Sequence, residues 1–223
     1  MSVSLPSTQQ VAPGQQYQTS YEVCLYGSVT GADAFRSVFD RLTLKTETGS
    51  SRLHVRELVF EAATANPTSM MMMSAVDDPP TLVCRKDLLT GGNRGGWILS
   101  THGRPEPPRL QPLAIVRPSV YSKATGDAAG CASTLGYRLK SEHYKRGFVF
   151  TSGMVAISVY QIDIINPETK KPEKAPEGSI WMIEAKTPST HGALAKELQA
   201  LTEVRELLRG LVDLDRNNFV SHI

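Results

Sequence analysis

From Tyr21 onwards apolar and polar positions alternate. Tyr21, Val23 and Leu25 stand against Glu22 and Cys24, and the run continues through Tyr26 to Val29. A period of two predicts a first strand here. The period then changes: Ala32, Phe35, Val38, Phe39 and Leu42 recur at helical spacing, which predicts a short amphipathic helix ending before Gly49. Over 52–63, Leu53 and Val55 precede Glu57, and Leu58, Val59 and Phe60 follow, so a long strand becomes buried towards its end. Shorter strands are predicted over 81–88, 96–101 and 113–121. The glycines of Gly91-Gly92-Asn93-Arg94-Gly95-Gly96 suit a hairpin turn between two of them, and because a strand resumes at Trp97, the cluster does not read as a phosphate loop.

The second half repeats the plan. Asp127 can cap a short helix that Gly136 ends, and 137–150 with 155–165 predict a long hairpin around Thr151-Ser152-Gly153. A strand is expected over 180–186. Leu194, Leu198, Leu201, Val204, Leu208 and Leu211 then form one stripe, predicting a helix of about 20 residues, near 30 Å at 1.5 Å per residue. Such a stripe needs a docking surface. Many strands joined by hairpins, without regular strand-helix-strand alternation, predict a mainly antiparallel α+β fold. Closure into a barrel with the helices outside removes the exposed edges.

Residues 1–20 lack this periodicity and carry Gln, Pro and Gly, which predicts a disordered tail. The single domain then spans 21–223, with excursions over 66–80, 103–112 and 167–178. The chain has 24 Lys plus Arg against 22 Asp plus Glu, too even a balance for a protein whose affinity rests on neutralising many phosphates. No apolar run approaches the ~20 residues of a membrane helix, and the first residues lack a signal-peptide block, so an intracellular protein is expected. The three cysteines, Cys24, Cys84 and Cys131, are widely spaced and read as buried thiols. The five histidines show no metal-ligand spacing, and Gly-x-Ser-x-Gly is absent. No catalytic residue, cofactor or metal site is expected.

Two stretches invite a binding reading. Lys140, His143, Lys145 and Arg146, interleaved with Tyr137, Tyr144 and Phe148, resemble an RNA surface, but Glu142 interrupts them. Period two puts Arg138, Lys140, Glu142 and Tyr144 on one face, solvated or barrel-lining. Along Ala156, Ser158, Tyr160 and Ile162, the small residues would admit a partner helix that Tyr160 and Ile162 anchor; core packing accounts for the same face. Met70 to Met73 stand in a loop where an adaptable contact is a further reading.

Leu25-Tyr26-Gly27-Ser28-Val29, Arg41-Leu42, the segment 52–60, Leu135-Gly136-Tyr137-Arg138, Gly147-Phe148-Val149-Phe150, Met154-Val155 to Val159-Tyr160-Gln161-Ile162 and the terminal 207–214 occur in an order that resembles the Mediator subunit 18 family. The match runs from Tyr21 to Asp215. The resemblance implies a nuclear, non-catalytic subunit of the head module of Mediator, the coactivator of RNA polymerase II transcription. It implies a barrel that pairs with a similar barrel, subunit 20, and receives a C-terminal helix of subunit 8. The family's barrel is similar to that of the tunnel triphosphatases, whose Glu-x-Glu strands hold a divalent metal, so a metal-dependent phosphohydrolase is the catalytic alternative. This sequence contains no Glu-x-Glu; Glu22 and the half-match Glu184-Ala185-Lys186 stand alone, which predicts a lumen without clustered carboxylates.

Overall fold

The computed structural model describes residues 20–47, 49–63, 81–89, 96–188, 191 and 194–216. Its strands are β1 (Tyr21–Val29), β2 (Ser51–Ala62), β3 (Thr81–Asp87), β4 (Trp97–His102), β5 (Ile115–Ala124), β6 (Tyr137–Ser152), β7 (Val155–Ile162), β8 (Ile164–Ile165), β9 (Pro172–Glu173) and β10 (Trp181–Lys186). The helices are α1 (Ala32–Lys45), α2 (Ala128–Thr134) and α3 (Ala195–Leu207). Eight strands close an antiparallel barrel in the order β1-β10-β7-β6-β2-β3-β4-β5, with β5 returning to β1 through Tyr21↔Pro118 to Cys24↔Ile115. The expected α+β barrel is therefore observed, and closure leaves every long strand paired on both edges.

The main apolar core lies outside the barrel wall, beneath the helices. Val23 and Leu25 of β1, Val155, Ile157 and Val159 of β7, and Ile183 and Ala185 of β10 pack with Val38 and Leu42 of α1 and Leu201 and Val204 of α3. The aromatic residues of α1 extend this layer: Phe35 stacks on Trp181 at 3.9 Å and Phe39 meets Phe148 edge-on at 4.9 Å. Arg41 Nη1 donates to the Leu207 carbonyl at 3.0 Å, tying α1 to the C-terminal end of α3, where a cation is favoured. A second cluster seats Ala128 and Ala132 of α2 on Leu58, Phe60, Leu82, Cys84 and Trp97. Asp127 caps α2 as expected, its carboxylate accepting from the amides of Ala129 and Gly130.

Three expectations are corrected. The terminal stripe forms a helix of 13 residues, not about 20, because the chain turns at Leu208 and reverses through Gly210 at φ 81°, a left-handed conformation that only glycine adopts freely. Leu211 therefore packs from the turn, and Asp215 returns to bridge Tyr26. The hairpin strand stops at Ile162: buried Asp163 breaks the ladder to receive Arg146 at 2.7 Å, and Ile164–Ile165 form a separate small sheet with β9. Cys131 is exposed on α2, while Cys24 and Cys84 are buried. The N-terminal tail over 1–19, the Met70 to Met73 loop and the turn over 91–95 lie outside the described residues.

A charged barrel lumen as the candidate functional site

Strand alternation sends one set of side chains outward to the helices and the other into the lumen. The inward set is polar. Glu22 comes from β1, Glu57 from β2, Arg85 from β3, His102 from β4, Arg117 and Tyr121 from β5, His143 and Lys145 from β6, Tyr160 from β7, and Glu184 and Lys186 from β10. Most of them line a cavity of about 320 Å³ whose buried walls include Glu57, Tyr160 and Glu184 and whose rim carries exposed Lys140 and Pro105.

Three glutamates nonetheless reach the lumen, one from each of three strands. A Glu-x-Glu pattern would place two carboxylates on one strand. Here closure of the barrel, not local spacing, assembles them. A usable signal was present in Glu57, a charged residue inside an otherwise apolar run.

Each glutamate is held by cations. Glu57 Oε2 accepts from Arg85 Nη2 at 2.7 Å and Nε at 3.0 Å and from Lys145 Nζ at 3.1 Å, while Oε1 lies 3.0 Å from His143 Nε2. Glu22 Oε1 accepts from Arg117 Nη2 at 2.6 Å and Nε at 3.0 Å; Oε2 accepts from the Tyr121 hydroxyl and lies 3.6 Å from Lys186. Glu184 pairs with Lys186 at 3.3 Å. Lys145 also stands 5.0 Å over the Tyr160 ring. Burial alone would raise these carboxyl groups, but Lys186, Lys145 and the arginines outweigh it, holding Glu22 and Glu57 far below the usual range and Glu184 at about 2.

This donor set does not fit a divalent cation. A hard cation needs several uncommitted carboxylate oxygens, whereas those of Glu22 and Glu57 are spent on Arg, Lys, Tyr and His and Glu184 pairs with Lys186, and no cluster of three His, Cys, Asp or Glu among the described residues is arranged to hold a metal. Burial, reinforced by Arg117, lowers His102 to about 4, so it is neutral at pH 7, and its Nδ1 is buried with no hydrogen-bond partner among the described residues.

The residues singled out from sequence separate. Lys140 lines the lumen with His143 and Lys145, because a bulge at Val59/Phe60 leaves Lys140 without a partner on β2. Glu142 and Tyr144 stay half-buried outside, with Glu142 accepting from Arg56 Nε at 2.8 Å and from the Tyr144 hydroxyl at 2.8 Å. Arg146 is committed to Asp163. The basic stretch is therefore not one RNA-facing surface. Tyr160 and Ile162 line the lumen, and alternation turns Ala156 and Ser158 the same way. The helices that pack on β7 are the chain's own and use the opposite face, Val155, Ile157 and Val159.

The network makes stability depend on pH. His102 has a folded pKa below its unfolded 6.5, so the unfolded state takes the proton first and stability falls as pH drops from 6.5 towards 4. The glutamates, with folded pKa values below 4.5, contribute stability that is complete above 4.5 and lost as pH falls towards about 2. Denaturant melts across pH 8 to 3 are expected to show a plateau above 7, a shallow decline below 6.5 and a steeper one below 4.5. Each group contributes up to about 1.4 kcal/mol per pH unit within its window. Stability unchanged between pH 7 and 4 would contradict this assignment.

A profile of the Med18 protein family matches residues 21–219. The Mediator of RNA polymerase II transcription subunit 18 of Yarrowia lipolytica is 29% identical over 112 residues. That alignment covers 47% of this chain and 48% of the relative, so the chain matches about half the length of this curated protein. Among solved structures, a chain of the Schizosaccharomyces pombe Mediator head module superposes with a TM-score of 0.67 at 19% identity, covering 88% of this chain and 98% of that one. The PH1819 protein of Pyrococcus horikoshii shares the fold with a TM-score of 0.54 at 16% identity, covering 87% and 93%.

Proposed function

The chain belongs to the Med18 protein family, and from that premise we propose that it is a non-catalytic scaffold subunit of the Mediator head module, acting in the nucleus in support of RNA polymerase II transcription. The observation that carries this reading is the family match along the whole folded domain, from the first barrel strand to the return strand after α3. The physical organisation is consistent with it. A closed barrel whose outer wall is braced by its own helices gives a rigid body, and its lumenal carboxylates are occupied by cations instead of being available to a catalytic metal.

The proposed partners are Mediator subunit 20, barrel against barrel, and a C-terminal helix of subunit 8, whose apolar stripe would lie in a groove. Contact through Ala156, Ser158, Tyr160 and Ile162 would require a partner segment to enter the barrel mouth. Co-expression of the full chain with subunits 8 and 20 is expected to yield a stable ternary complex in size-exclusion chromatography. Elution of the chain alone, with both partners folded, would overturn the scaffold reading. Tyr160→Ala weakening the complex without lowering the melting temperature would support entry at the mouth; unchanged affinity would remove that face.

A further inference from the structure

Beyond the scaffold role, and independently of it, we propose that the open half of β6, residues 137–143, is a docking edge for an extended, acidic segment of another polypeptide, which joins the barrel as an added strand. β6 has a neighbour on each edge, but one neighbour is too short. β2 pairs with it from Tyr137 to Val149, whereas β7 covers only Lys145 to Ser152. The Asp163 N–H donates to the Tyr144 carbonyl at 2.8 Å, and the chain then leaves for the β8–β9 sheet. Beyond that bond no described strand lies along this edge of 137–143. Successive residues of a strand turn their N–H and C=O groups to opposite edges, so Glu142 presents both to the same open side as Tyr144. The open stretch is about 24 Å long at 3.4 Å per residue, enough for a partner strand of the usual 5–6 residues.

A row of open amides and carbonyls selects extended backbone and not a helix. Charge then selects the occupant. Arg138 and Lys140 are both exposed on this stretch, and Lys140 enters no ion pair among the described residues. The stretch's one carboxylate is already spent, since Glu142 accepts from Arg56 Nε and from the Tyr144 hydroxyl, each at 2.8 Å. A second copy of the chain therefore offers the same cations and no free carboxylate, whereas an acidic strand meets them with opposite charge. Lysine and a bulge are devices that guard an open edge against indiscriminate pairing, and here they repel a basic edge while admitting an acidic one. Leu139, 52% exposed between the two cations, adds an apolar contact. A partner strand that alternates acidic and β-branched residues matches this pattern.

The test is fluorescence anisotropy of the full chain with a labelled peptide of about ten residues that alternates Glu and Val. Saturable binding is expected, and hydrogen exchange of the complex is expected to show slowed amides within 137–143. Two versions of the peptide, N-methylated at alternate amides in the two possible phases, keep its charge. The phase that faces β6 is expected to bind about tenfold or more weakly, and the other phase to retain binding. Lys140→Glu is expected to weaken the parent peptide by about tenfold with the melting temperature unchanged, and Lys45→Glu, exposed on α1 outside the barrel, to leave it unaltered. If Lys140→Glu fails to fold, the two methylation phases decide the matter on the unaltered chain. No saturable binding, equal affinity of both phases, or protection confined to residues outside 137–143 would overturn the proposal. Concentration-dependent dimerisation in sedimentation velocity, abolished by Lys140→Glu, would assign the edge to a second copy and overturn it as well.

Discussion

Replacing Glu57 by glutamine is expected to lower the melting temperature by roughly 6–20 °C, the consequence of losing about 3–5 kcal/mol when one partner of a buried ion pair is removed. Glu57 is 6% exposed and gathers Arg85, Lys145 and His143 onto two oxygens. Glutamine keeps the volume and one acceptor oxygen but removes the charge, leaving Arg85 and Lys145 as like charges around a neutral amide. The loss is therefore mainly the burial of uncompensated cations, not the net worth of the original pairs. Adding Lys145→Met to Glu57→Gln removes one of those cations and is expected to restore part of the stability. Thermal melts of the single and double variants decide it. A single variant within about 2 °C of the parent would mean that the lumen solvates its cations as bulk water does.

Gly147→Ala is expected to cost about 3 kcal/mol or more, at the upper end of overpacking effects. Gly147 sits in the middle of β6 opposite Tyr160, and a Cβ there would collide with the Val159 carbonyl oxygen and stand 2.7 Å from the Tyr160 Cα. Both are backbone atoms, so no side-chain rotation relieves the clash and β7 itself must move. The displacement would separate the Tyr160 ring, opposite Gly147, from Lys145, which lies over it from two residues along β6, and would disturb the lumen as well as the wall. Denaturant unfolding is expected to show the destabilisation, and hydrogen exchange is expected to place lost protection on β6 and β7. Unaltered protection of the amides of 145–150 would contradict the close approach.

Most of the fold was legible from local patterns. The first strand over Tyr21–Val29 and the Asp127 cap follow from period and side-chain chemistry. Strand alternation also fixes which residues share a face, and Tyr160 and Ile162 both line the lumen. The pattern leaves the direction of that face open: in this barrel the apolar side packs outward under helices and the polar side turns inward, and alternation looks the same either way. The apolar stripe predicts a longer α3 than forms because leucines at helical spacing continue through the turn at Gly210.

The amino-acid sequence by itself determined the elements, their antiparallel order and the family, because period, capping and turn chemistry act between residues close in the chain. The tertiary structure alone decided the charged lumen. Glu22 meets Arg117 across 95 residues of chain and Lys186 across 164, and Glu57 meets Lys145 across 88. Only closure of eight strands brings such distant side chains into one low-dielectric space, where their charges must be balanced.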